Sequence, residues 1–126
     1  MNALIITDGT DSVHSIAQMI KQAMSGYKIN ICTAQQFKGT DLLPANLFFI
    51  GCENPKPSSF TYLEKMLKHI NLASRKCGIF TIKEKTVNYL LKILNDCEAE
   101  VGQPLIVSNH DIKKTEINKW IKEVLK

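Results

Sequence analysis

The sequence has no apolar run approaching the roughly 20 residues that span a bilayer, so no membrane segment is expected. Its opening, MNALIITDGTDSVHS (Met1 to Ser15), has no basic region followed by a long apolar stretch. No signal peptide is therefore expected, and the expected location is cytoplasmic. The four cysteines, Cys32, Cys52, Cys77 and Cys97, stand at least twenty residues apart. They form neither a Cys-x-x-Cys pair nor a Cys/His ligand spacing, which argues against structural zinc and for small buried thiols. Internal repeats, low-complexity tracts and linkers are also missing, so one domain over residues 1–126 is expected.

The apolar fraction of 44% supports a real core. The net charge of +4 is uneven. Residues 1–55 carry three lysines against four acids, net −1, and residues 56–126 carry thirteen Lys/Arg against eight acids, net +5. Such a half raises the question of nucleic acid. Its lysines (Lys65, Lys68, Lys92, Lys119, Lys122) are spread along helical segments and mixed with Glu64, Asp96, Glu116 and Glu123. They read as solvated helix faces, and no nucleic-acid or membrane partner is expected.

Hydrophobic patterning predicts five strands alternating with four helices. Ala3-Leu4-Ile5-Ile6 and Leu47-Phe48-Phe49-Ile50 are apolar on both faces, as strands buried between two layers must be. Residues 27–33 alternate, as an edge strand does; residues 77–82 and 104–108 complete the set. The first helix is expected from Ser12, its N-cap, to Ser25, with Val13, Ile16, Ala17 and Ile20 inward. Residues 34–45 are mixed, with room for a short helix. The second helix repeats Phe60, Leu63, Leu67 and Ile70 to about Ala73, with Thr61 and Glu64 spaced for a capping box. The third spans Lys83 to Cys97 with Val87, Leu90, Leu91 and Leu94 inward. The last is capped by Asp111 or Thr115 and buries Ile117, Trp120, Ile121 and Val124.

Strand–helix alternation implies α/β architecture: a three-layer, doubly wound, five-stranded parallel sheet in the order 2-1-3-4-5. Ligands of such sheets bind beyond the carboxyl ends of the strands, at the reversal between strands one and three. Those ends are Thr7-Asp8-Gly9-Thr10-Asp11-Ser12 and Gly51 to Ser59, with the segment after Ile82 beside them. The first is a short loop dense in hydroxyls that opens a helix, a place where backbone N–H groups and the helix dipole favour an anion.

This layout resembles the flavodoxins, particularly the short-chain ones, over nearly the whole chain. The likeness is best at LFFIGC (Leu47 to Cys52), GIFT (Gly78 to Thr81) and PLIVSN (Pro104 to Asn109). The resemblance implies a flavodoxin-like fold that binds flavin mononucleotide (FMN) and works as a low-potential electron carrier for a redox partner protein. By position, Thr7, Thr10 and Ser12 hydrogen-bond the phosphate, with backbone N–H groups around Gly9. Glu53, Asn54, Pro55 and Lys83 flank the flavin ring, and Cys52 ends strand three beside it. The chain departs from the family pattern in four ways. Asp8 and Asp11 put carboxylates in the phosphate loop, where each like-charge pair at about 5 Å costs roughly 3 kcal/mol at an effective dielectric near 20. The loop after strand four is nearly absent, no Trp, Tyr or Met stands in either flanking loop to stack on a ring, and the chain is basic where the family is acidic.

A second function is therefore open: a flavodoxin fold that has lost FMN and acts as a protein-binding or regulatory module, docking around Pro55 and Pro57. Receiver domains share the strand order but need an acceptor aspartate where this chain has Gly51-Cys52, and a lysine where it has Ser108-Asn109. Hydrolase and phosphatase chemistry finds no nucleophile near His14, His69 or His110, so no enzyme is expected. As a redox thiol, Cys52 would need a lowered pKa, and only Lys56 stands near in sequence to lower it.

Overall fold

The computed structural model describes residues 1–42, 44–73, 75–107 and 113–125. The chain runs β1 (Asn2–Thr7), α1 (Asp11–Ala23), β2 (Lys28–Thr33), β3 (Leu47–Gly51), α2 (Thr61–Leu67), β4 (Lys76–Thr81), α3 (Val87–Asp96), β5 (Glu100–Val101), β6 (Leu105–Ile106) and α4 (Lys114–Leu125). Single 3-10 turns at Gly39–Leu42, Ser58–Phe60 and Glu84–Thr86 lead through the loops. Every strand pair is parallel, and the order is β2-β1-β3-β4-β5, with β6 also on β4.

Alternation along the central strands builds two cores. Leu4 and Ile6, Phe48 and Ile50, and Cys77 and Ile79 face one layer, where α2 and α3 contribute Leu63, Leu67, Leu90 and Leu94. Ala3 and Ile5, Leu47 and Phe49, and Phe80 face the other, against Val13, Ile16 and Ile20 of α1 and Ile117, Trp120 and Val124 of α4. A central strand of a three-layer fold has no solvent face, so it carries no polar alternation. The edge strand β2 is exposed or half-buried throughout.

Of the expected fifth strand, residues 104–108, the structure has the short β6, and a further short strand, β5, forms ahead of it. β5 pairs with Lys76 and Cys77, and β6 with Phe80 and Thr81, so both lie along β4. Between them stand Gly102 and Pro104; proline has no N–H to donate to a ladder. Helix α1 begins at Asp11 with Thr10 as N-cap, two residues ahead of the expected Ser12. Its other end falls at Ala23, because Met24 turns into the core. Helix α2 stops at Leu67 instead of running to Ala73; the chain bends to bury Leu72, whose N–H donates to the Cys97 carbonyl at 2.7 Å. The Thr61/Glu64 capping box does not form, since Thr61 is already helical. In α3 the expected inner face gains Ile93, while Val87 and Leu91 are only half-buried. Thr115 lies inside α4, and Ser108, Asn109, His110 and Asp111 fall outside the described residues. Trp120 is core, tilted against Phe49 at 5.4 Å between ring centroids, with Nε1 donating to the Gln103 carbonyl at 2.6 Å.

Candidate functional site at the carboxyl ends of the strands

Strand β1 pairs with β3 through Ile6 opposite Ile50, and β3 with β4 through Gly51 opposite Phe80. This register brings three connections to one end of the sheet: residues 8–10, residues 52–57 and residues 82–86. Thr7 is buried, and its Oγ1 accepts the Gly9 N–H at 3.2 Å. Gly9 turns the chain at φ +83°, a left-handed conformation that side chains resist.

Asp8 lies at the centre of the first two connections. Its Oδ1 accepts both the Thr10 N–H at 3.1 Å and the Thr10 hydroxyl at 2.7 Å. Its Oδ2 accepts the Glu53 N–H at 2.8 Å, across to the loop after β3. Thr10 therefore makes no side-chain cap for α1; its hydroxyl is spent on Asp8. Asp11 is exposed on the first turn of α1, where its backbone carbonyl accepts the Ser15 hydroxyl at 2.9 Å. Ser12 is half-buried, within that same turn.

The loops after β3 and β4 are tied to one another. Thr81 Oγ1 donates to the Cys52 carbonyl at 2.8 Å, Thr86 Oγ1 to the Glu53 carbonyl at 2.8 Å, and Lys83 Nζ to Asn54 Oδ1 at 2.7 Å. Thr81 and Thr86 are fully buried and were not among the expected site residues. The only signal for Thr81 was a hydroxyl in an otherwise apolar run, which strands often carry for packing alone, and Thr86 follows the charged Lys83-Glu84-Lys85 with no signal of burial. Asn54, Pro55 and Lys56 are exposed, and Lys56 has φ +49°. Tyr62, at 55% exposure, opens α2 just beyond.

Cys52 is buried, with its thiol donating to the Asn54 carbonyl at 3.3 Å. Burial, and then the Asp8 carboxylate, push its pKa well above the ordinary thiol range. Lys56 does not lower it, so Cys52 is a structural thiol rather than a ready thiolate. The structure thus brings Thr7, Asp8, Gly9, Thr10, Cys52, Glu53, Asn54 and Lys83 to one end of the sheet. Pro55 and Asp11 sit at its solvent edge.

These residues do not fit a flavin mononucleotide. The Thr10 N–H and hydroxyl, suited to a phosphate, already serve a carboxylate. The loops that would flank a ring are joined by Thr81, Thr86 and Lys83. Neither residues 53–59 nor residues 82–86 offer a tryptophan, tyrosine or methionine to stack on it.

Fold and site together define a doubly wound α/β protein with its loops gathered at the switch point. More particularly, the fold is that of the flavodoxins. The structure matches a flavodoxin of Streptococcus pneumoniae TIGR4 at a TM-score of 0.83 and 14% identity, covering 98% of this chain and 97% of that one. It matches a short-chain flavodoxin associated with a PDU bacterial microcompartment at 0.79 and 12%, covering 99% and 97%. It matches a Fusobacterium nucleatum flavodoxin bound to flavin mononucleotide at 0.75 and 10%, covering 98% and 96%. No protein-family model and no curated protein sequence matches the chain. Among the described residues, no helix is long and apolar enough to cross a membrane.

Proposed function

We propose that this chain works without flavin, as a protein-binding or regulatory module on a flavodoxin fold. The observation that carries this reading is the trio of bonds from Thr81, Thr86 and Lys83 that joins the two loops a flavin ring would have to part. Two of the donors are buried hydroxyls, and a buried donor or acceptor left unpaired costs about 1–3 kcal/mol. Opening a slot there would break bonds that the fold has already satisfied. The exposed edge formed by Asn54, Pro55, Lys56 and Tyr62 is the surface on which a protein partner would dock. Two prolines, Pro55 and Pro57, stiffen it, so little conformational freedom is lost on binding.

A second reading, an FMN-binding electron carrier serving a redox partner, is favoured by the match to a flavodoxin bound to flavin mononucleotide. Titration of flavin mononucleotide with the purified protein separates the two, read by quenching of flavin fluorescence with riboflavin as control. The flavin-free reading expects no quenching at tens of micromolar and a colourless preparation. Tight quenching, or a yellow protein, refutes it.

A further inference from the structure

We infer that Asp8 is a resident anion: its carboxylate fills, from within the chain, the seat that a bound oxyanion would otherwise take, and in doing so shuts that seat and fastens two loops together. The inference rests on the flavin-free reading, and it concerns a different set of bonds. Three donors converge on this one side chain: the Thr10 N–H, the Thr10 hydroxyl and the Glu53 N–H. The first two stand at the start of the 13-residue helix α1, where backbone N–H groups and the helix dipole favour negative charge. The third comes from a loop 45 residues away in sequence, so the contact does more than close a local turn. Each carboxylate oxygen is used, Oδ1 twice by the near loop and Oδ2 by the far one. A tetrahedral oxyanion makes contacts of this kind, with one oxygen for the helix start and another for the opposite loop. A covalently held carboxylate makes them without a loss of translational freedom, and its charge repels a free phosphate from the same donors.

Three full-length proteins test this: the wild type, Asp8→Gly and Asp8→Asn. Each is titrated with inorganic phosphate at constant ionic strength in chloride. Binding is read from phosphorus NMR line broadening and from the thermal unfolding midpoint, and the Glu53 amide is followed by hydrogen exchange. The wild type is expected to ignore phosphate. Asp8→Gly is expected to melt lower in chloride, to be rescued by phosphate, and to bind it at least tenfold more tightly than the wild type. Asp8→Asn, which fills the seat without charge, is expected to lose protection at the Glu53 amide and to gain no phosphate rescue. That variant keeps the inference testable if Asp8→Gly fails to fold. Phosphate binding by the wild type, a folded Asp8→Gly indifferent to phosphate, or full Glu53 protection in Asp8→Asn would each overturn it. Wild-type quenching by riboflavin and FMN alike would overturn the flavin-free reading while supporting a seat closed to phosphate.

Discussion

Gly78, in the middle of β4, is a position where this fold has no room for one more carbon. A Cβ there would lie 2.6 Å from Phe49 Cδ1, 2.9 Å from Phe49 Cε1 and 2.9 Å from Trp120 Cζ2. Both rings are in the core, packed on each other, and neither is a flexible chain end that swings aside. Overpacking of this kind costs about 1–3 kcal/mol. Moving Trp120 also strains its bond to the Gln103 carbonyl, worth about 1 kcal/mol net. Against this, alanine restricts the unfolded chain and returns about 0.4–1 kcal/mol. Gly78→Ala should therefore destabilise by about 1.5–3 kcal/mol, lowering the thermal midpoint by roughly 5–12 °C. Urea unfolding followed by circular dichroism and by the single tryptophan measures it, with the midpoint shifting and the slope unchanged. Gly26→Ala is the control: a Cβ at Gly26 meets nothing within 4 Å, and the change should be neutral or slightly stabilising. A Gly78→Ala protein within 0.5 kcal/mol of wild type, with an unaltered tryptophan spectrum, would refute the packing argument.

Two further predictions concern buried polar groups. The Tyr89 hydroxyl, on α3, is buried beside the Glu64 carboxylate of α2 but outside full hydrogen-bond geometry with it, and burial first, then that carboxylate, raise its pKa. Tyr89→Phe should leave stability unchanged or raise it by up to about 1 kcal/mol in urea unfolding, and a loss larger than that would show that the oxygen is paired. Burial pushes Cys32 up to about 11 and Cys77 up to about 12, and it raises Cys52 and Cys97 as well. Raised folded pKa values mean that the native state holds its thiol protons more tightly than the unfolded chain, whose thiols titrate near 9. This contribution to stability is complete below pH 9 and is lost as the pH climbs towards 11–12. Urea midpoints measured from pH 7 to 10.5 should fall only above about pH 9, and by less in Cys77→Ser; a Cys77→Ser protein with the same alkaline slope as wild type would remove Cys77 from the account.

Much of the fold was legible because central strands announce themselves. Ala3 to Ile6 and Leu47 to Ile50 carry no polar alternation, and the helices between them show a single apolar stripe, so the layers follow from burial on both faces, and the strand order from right-handed crossovers with one switch point. Element ends were less legible. Met24, Leu72 and Ile93 are drawn into the core by what they meet across the layers, and the break between β5 and β6 shows only when both pieces are laid along β4. At the candidate site the two aspartates look alike in sequence, three residues apart in one loop. Only one of them finds the far loop.

What the sequence determined by itself was local and periodic: which residues prefer strand or helix, which faces are apolar, and which loops reach the carboxyl end of the sheet. What only the tertiary structure decided was the use made of those loops. Asp8 meets the Glu53 N–H because β1 and β3 lie side by side in one register, and Thr81, Thr86 and Lys83 reach the loop after β3 because β4 is next in line. A hydrogen bond holds only over a few tenths of an ångström. Distances of that size between residues 29 to 45 positions apart are set by the packing of two cores against the sheet, not by the neighbours of any residue along the chain.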